Sequence, residues 1–355
     1  MMGVLSHLST LLLLLSLLPP ALSHVVESFS DVTDCETFFL KKTTPNLPGI
    51  LVGGTVQNQN RYKPICQKYK KTYRFATLYD MINRIPVFSA YTFSGKAVGR
   101  PSQSWMIEPQ LENIKYQSDM KVDNKAVKNQ AVDTDYKNNN LGLDRGHLFP
   151  CSYAPNDDTK RSTFTLTNAV PQASSFNRGS WKTMECRVRK ALELNCKDYN
   201  NNNIKAYVVT GAVPSSSNTL NNRVNIPDLM WTAYCCYNSN LGQWVAQAHW
   251  GENQQEDKGK TLKPETLGAL EKELNKIYND GVKVFHDDCP RNVNVLEDER
   301  GRNLEAVEEV ELGKKRVREG SGEGNGEGNI KMARASEELK DCDDEDGCDC
   351  DCDEK

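Results

Sequence analysis

Four consecutive residues, Asp144-Arg145-Gly146-His147, constrain this chain more than any other stretch, because the groups that complete their chemistry lie well downstream. Thr167-Asn168, Pro171-Gln172, Asn177, Trp181, Glu185 and Arg189 follow in that order. A histidine takes a proton from water near neutral pH. An amide carbonyl and a carboxylate suit a hard, oxygen-loving cation. Arginine matches phosphate geometry and stays charged. For these groups to act together, the chain must bring His147 and the segment from Asn177 to two sides of one small pocket. A strand through His147, a second strand and then a helix opening near Asn177 would do so. Each helical residue advances about 100°, so Glu185 lies roughly 80° round from Asn177 and Arg189 roughly 40° further. These three are expected to line a cleft while Trp181, Met184, Val188 and Leu192 form the apolar stripe of the same helix.

The surrounding sequence predicts a mixed architecture. Pro86–Phe93, Tyr207–Thr210, Leu229–Tyr237 and Gln243–Trp250 read as strands, and Phe164–Thr167 as a short one just after the histidine motif. In Gln243–Trp250 strict alternation puts Trp244, Ala246, Ala248 and Trp250 on one face. Helical spacing marks 177–194 and Pro264–Tyr278, the latter with Gly281 just beyond its end. Strands outnumber helices, which points to an α+β domain on an antiparallel sheet. Asn138–Asn140, Asn200–Asn203 and Asn221-Asn222 read as surface turns.

Two ends differ from this body. Residues 1–23 carry no Lys, Arg, Asp or Glu, are almost unbroken leucine from Leu11 to Leu18, and end in Ala21-Leu22-Ser23. This is the pattern of a cleaved signal peptide, too short an apolar run for a bilayer span, so secretion is expected. No later segment is apolar enough to cross a membrane. Eight of the twelve cysteines lie in the body (Cys35, Cys66, Cys151, Cys186, Cys196, Cys235, Cys236 and Cys289), an even number that suits disulfides in an oxidising compartment. Eight cysteines allow about 100 pairings, and spacing does not choose among them. Residues 297–355 hold 21 acidic and 10 basic side chains, a net of −11; the whole chain carries −4, which leaves +7 for the rest. The predicted organisation is therefore a signal peptide at 1–23, a domain at 24–295 and a disordered acidic tail at 296–355. The basic body permits a polyanionic partner.

The residues Asp144-Arg145-Gly146-His147, Leu166-Thr167-Asn168, Pro171-Gln172 and Asn177-x-x-x-Trp181-x-x-x-Glu185 resemble the DNA/RNA non-specific endonuclease family, over about residues 30–290. The resemblance implies the ββα-metal fold, with a central antiparallel sheet flanked by helices. It implies His147 as the general base and Asn177 as the direct ligand of Mg2+, with Mn2+ as the alternative ion. Glu185 would hold the metal cluster through a bound water, and would belong with His147, Arg145 and Arg189 to the catalytic set. Arg145, Arg189 and Arg100 would clamp substrate phosphates, and Asp144 and Asn168 would support the histidine loop. The partners so implied are DNA and RNA, held through their phosphate backbones with little sequence preference. The alternative is a non-catalytic extracellular module that uses the same fold to hold a polyanion or a protein.

Other residues draw blander readings. His249, in the alternating strand, is expected to be structural. His286, beside Asp287-Asp288-Cys289, lacks a second histidine at ligand spacing. The six basic residues between Arg61 and Arg74 are read as a solvated face rather than a nucleic-acid strip. Cys348, Cys350 and Cys352 are read as low-complexity drift in the tail. Nothing in the pattern bears on oligomeric state.

Overall fold

The computed structural model describes residues 24–122, 127–137, 139–198 and 203–292. The expected signal segment, the whole of the expected acidic tail at 296–355 with its four cysteines, Asn138, and part of the Asn200–Asn203 patch lie outside them. In chain order the main strands are β1 (Tyr62–Tyr69), β2 (Thr72–Asp80), β3 (Ile85–Phe93), β4 (Leu143–His147), β5 (Ala169–Ala173), β6 (Ala206–Val213), β7 (Leu229–Asn238) and β8 (Gln243–Glu252). The main helices are α1 (Lys182–Asn195) and α2 (Leu267–Tyr278). Six strands form one antiparallel sheet in the order β8-β7-β6-β3-β2-β1, and β4 pairs β5 as a separate antiparallel ribbon.

Prolines sit where the ladder tolerates a missing N–H. Pro86 lies at the irregularity where β2 and β3 shift register beside Tyr79, and Pro64 lies on the edge strand β1. The outer side of β1 is covered by the segment at His24–Val26, through Cys66 N–H to the His24 carbonyl (2.7 Å) and Val26 N–H to the Pro64 carbonyl (3.0 Å). Covering an edge strand in this way removes a template for unwanted pairing.

Alternation along the strands builds a core on each face of the sheet. One core gathers Trp231, Ala233, Cys235, Ala246 and Ala248 with α2 residues Leu267, Leu270 and Leu274 and the aromatic N-terminal segment Phe29, Phe38 and Phe39. The other gathers Met230, Tyr234, Cys236 and Val245 with Phe149, Val170, Trp181, Met184, Val188 and Leu192. The β4–β5 ribbon and α1 therefore share the second face. Adjacent Cys235 and Cys236 point to opposite sides: Cys235 bonds Cys289 in the first core, and Cys236 bonds Cys196 at the end of α1 in the second. Cys35 pairs with Cys66, and Cys151 and Cys186 are also disulfide-bonded.

Two sequence expectations shift. Phe164–Thr167 is not a strand: Leu166–Asn168 forms a 3-10 turn, and the second strand begins at Ala169. The cause is Asn168, whose side chain bonds to the backbone of Phe149 and Thr163 and so curls the chain before it can extend. The basic run Arg61–Arg74 is mostly strand, not a free face. Arg61 bonds Asp80 (2.7 Å), and Lys70 and Arg74 both face Asp158 (2.7 and 3.6 Å). Asn221 and Asn222 do form a turn, both at positive φ, which asparagine tolerates. Among the described residues no helix is long and apolar enough to cross a membrane.

Replacing Cys235 and Cys289 together by alanine should lower the unfolding free energy by about 2–4 kcal/mol. The readout is a reduced urea midpoint under oxidising conditions, and an unchanged midpoint would contradict the load assigned to this crosslink.

Candidate active site

The two motifs singled out in the sequence meet as one ribbon. β4 and β5 pair from Leu143 with Ala173 to His147 with Ala169. Gly146 allows this closeness: a Cβ there would stand 2.0 Å from Gln172 Oε1 and 2.6 Å from Gln172 Cβ. Alternation turns Asp144 and Gly146 to the buried side of β4 and Arg145 and His147 to the side that keeps some exposure.

His147 packs against two aromatic rings that also touch each other, Trp105 at 5.0 Å and Phe164 at 4.9 Å between centroids. Its Nε2 is enclosed without a hydrogen-bond partner. Although the residue keeps part of its surface open, burial of the ring, and then the positive charge of Arg100, push the imidazole pKa down to about 3. The loop beyond it is fixed by Asn168. Oδ1 accepts from Phe149 N–H (2.9 Å) and Ser89 Oγ (2.9 Å), and Nδ2 donates to the carbonyls of Phe149 (3.1 Å) and Thr163 (3.0 Å). Phe149 itself stacks on Tyr91 of β3, with centroids 4.0 Å apart. Glu108, which is fully buried, anchors Thr165, the residue after Phe164. One carboxylate oxygen accepts from Thr165 Oγ1 (2.7 Å), and the other lies 2.8 Å from His24 Nε2.

Asp144 connects the ribbon to the helix start. Its oxygens accept from Ser174 Oγ (2.9 Å), Asn177 Nδ2 (3.1 Å), Arg178 Nε (2.9 Å) and Arg178 Nη2 (2.8 Å). Asn177 is no N-cap: it has helical angles (φ −57°, ψ −45°), follows a helical turn at Ser174–Phe176, and opens a π-helix that runs to Trp181. Single π-turns of this kind are frequent at functional sites. Because the amide nitrogen of Asn177 is taken by Asp144, its carbonyl oxygen is the end turned away from that carboxylate. Glu185, half-buried on α1, accepts from the Trp181 indole N–H (3.0 Å), and its main-chain carbonyl accepts from Tyr153 Oη (2.7 Å).

The arginines distribute unevenly. Arg100 lies over Phe164 at 5.2 Å and acts electrostatically on His147, so the structure does bring it to the histidine. Arg145 is largely committed: Nη2 bonds the Asp133 carboxylate (2.7 Å), and the guanidinium lies over Trp105 and Tyr136 at 5.7 and 5.3 Å. Arg189, expected as a phosphate clamp, is a buried residue of α1, only 2% exposed. Sequence reasoning missed Arg178, which is 55% exposed while it grips Asp144. Its position next to Asn177 was the available signal. Trp105 and Phe164, far apart in sequence, gave none.

The donor set suits a hard cation. The Asn177 carbonyl and the Glu185 carboxylate are oxygen donors, and no cluster of three or more His, Cys, Asp or Glu occurs among the described residues. Such donors fit a hard ion that keeps several of its waters, Mg2+ among them. His249 is 5% exposed in β8, and burial pushes it down to about 4, as a structural histidine would be. His286 faces Asp288 at 3.2 Å.

The profile of the DNA/RNA non-specific endonuclease family matches residues 53–285. The human endonuclease domain-containing 1 protein is 31% identical over 211 residues, 57% of this chain and 39% of that protein. The mouse protein of the same name is 33% identical over 212 residues, 57% and 38% of the two chains. A nuclease of Nostoc sp. is 29% identical over 91 residues, 25% of this chain and 30% of that one. The chain thus spans about two fifths of the length of the mammalian relatives it matches. Among solved structures, a chain from the EndoG/EndoGI complex aligns with a TM-score of 0.45 at 18% identity, over 64% of this chain and 92% of that one.

His147 should stay neutral through the physiological range. Its ring resonances in NMR should not titrate between about pH 5 and 8, and a midpoint near 6.5 would contradict the enclosed environment. The sign for stability follows: the folded pKa lies below the unfolded one, so this contribution is full above about 6.5 and is lost as pH falls from there toward about 3.

Proposed function

Because this chain belongs to the DNA/RNA non-specific endonuclease family, we propose that it is a secreted, divalent-metal-dependent endonuclease. It would hydrolyse phosphodiester bonds of DNA and RNA with little sequence preference. The observation that carries this reading is the Asp144–Asn177 bond (3.1 Å), which takes the amide nitrogen and leaves the carbonyl oxygen for a cation. Asp144, which holds Asn177, lies three residues from His147 on the same strand, and the proposal takes the base and the cation ligand to serve one cleft.

His147 accepts a proton from the attacking water. With Nε2 enclosed, Nδ1 is the nitrogen proposed for that task, and the low pKa keeps it unprotonated. Such an imidazole is a weak base until something raises its basicity. A phosphodiester drawn to Arg100 does so, because its negative charge offsets the positive charge that disfavours protonation of the ring. Asn177 directly, and Glu185 through water, would hold Mg2+ or Mn2+, which when bound supplies charge stabilisation to the phosphoryl oxygens. Arg100 and the exposed Arg178 are the cations best presented to a phosphate; Arg145 orients the Trp105 wall of the histidine pocket. Phosphate contacts carry no base information, so cleavage should show weak sequence preference and strong salt sensitivity.

Plasmid DNA and RNA should be cut by the purified full chain with Mg2+ and spared with chelator, and His147→Ala should lower the rate at least about 100-fold. Activity that survives either change removes the mechanism. A folded protein that binds DNA but cuts it with no divalent metal favours the binding-module alternative. The acid limb of kcat should also lie at higher pH than that of kcat/KM, because bound substrate raises the basicity of His147. Coincident limbs would remove the role given to Arg100.

A further inference from the structure

The turn that carries Asn177 is gripped from a second side. Inside the π-helix, Gly179 sits at φ −100°, ψ −113°, outside the helical region. A π-turn interrupts the regular i to i−4 ladder, so nearby N–H groups need other acceptors. Ser180 is 1% exposed, and its N–H donates to Glu256 Oε1 (2.7 Å) while its hydroxyl donates to Glu256 Oε2 (2.9 Å). Glu256 comes from the loop after β8, remote in sequence from the turn. The same loop is stitched along the site segment. Glu256 N–H donates to Ser175 Oγ (2.7 Å), Ser175 Oγ donates to Gln255 Oε1 (2.6 Å), and Gln255 Nε2 donates to the Gly142 carbonyl (2.8 Å). Asn253 accepts the Ala173 N–H (2.8 Å) and donates to the Pro171 carbonyl (2.9 Å). Gly179 makes room for the carboxylate, since a Cβ there would stand 2.6 Å from Glu256 Oε1.

We propose that Glu256 is a positioning residue for the cation site: it fixes the backbone of the Asn177–Trp181 turn while Asp144 fixes the Asn177 side chain. Neither constraint suffices alone. A side-chain bond to Asp144 sets the amide plane only if the backbone bearing it is stationary, and a π-turn without its acceptor can relax to a regular helix. That relaxation would rotate Asn177 relative to Asp144. The proposal rests on the reading of Asn177 as the cation ligand.

The test is Mn2+ affinity, measured by electron paramagnetic resonance on the full chain without nucleic acid, beside circular dichroism for folding. Glu256→Ala should fold and bind Mn2+ about 10- to 100-fold more weakly, the range seen when outer-sphere partners of metal ligands are removed. Glu256→Gln keeps an acceptor for the Ser180 N–H and should bind close to wild type. Gly179→Ala, which displaces the carboxylate without deleting it, should weaken binding in the same direction, and it carries the test if Glu256→Ala does not fold. The Trp181 indole N–H resonance should shift in Glu256→Ala and return in Glu256→Gln. Wild-type Mn2+ affinity in a folded Glu256→Ala, or equal damage in Glu256→Gln, overturns the proposal. Wild-type affinity in Asn177→Ala removes the cation-site reading and the proposal with it. Affinity lost in Asn177→Ala but kept in Glu256→Ala removes the proposal alone.

Discussion

The site depends on one carboxylate. Asp144 is nearly buried, and a buried charge is tolerable only when donors replace the water it has lost. It has four, from Ser174, Asn177 and both faces of the Arg178 fork. All four come from one five-residue stretch, so satisfying the charge and docking the helix start are the same event. The ribbon cannot hold Asp144 in its dry position unless that stretch is seated, and the Ser174 N–H adds a further bond to the Gly142 carbonyl (2.9 Å). This coupling explains why an acidic residue opens a motif whose chemistry is otherwise basic.

Around that point the sheet acts as a floor. β3 supplies Tyr91 to stack under Phe149 and Ser89 to meet Asn168, so the loop after His147 is registered against the central strands. The core beneath α1 does the same for the helix, with Trp181 both an apolar anchor and a donor to Glu185. The groups that set this geometry are buried amides, hydroxyls and rings. Preorganisation of this sort is what the proposed cation site would require.

Much of this was legible in the residues. Period-two alternation in Gln243–Trp250 placed Ala246 and Ala248 on one core face and Val245 on the other, because burial on both sides of a sheet imposes it. The stripe Trp181, Met184, Val188 and Leu192 located α1 for the same reason. The motif spacing also paired the segment of Asp144 with that of Asn177, which the Asp144–Asn177 bond joins. What failed were features set by contacts distant in sequence. Arg189 occupies helix-compatible spacing, yet packing encloses it, and periodicity gives the direction of a side chain without saying what covers it. The strands at Tyr62–Tyr69 and Thr72–Asp80 were hidden by their charges, since Arg61, Lys70 and Arg74 find acidic partners in Asp80 and Asp158 that the local sequence does not reveal. The aromatic walls of the histidine and the clamp from Glu256 depend on segments that only the tertiary fold brings together.

The adjacent cysteines of β7 have a consequence for how the chain matures. Successive strand residues face opposite sides, so Cys235 and Cys236 can reach Cys289 and Cys196 only in one pairing parity of β7 against its neighbours. Slippage by a single residue would present each thiol to the wrong layer, out of reach of its partner. The two crosslinks are therefore a record of strand alignment: both fit only the register in which Cys235 faces one layer and Cys236 the other.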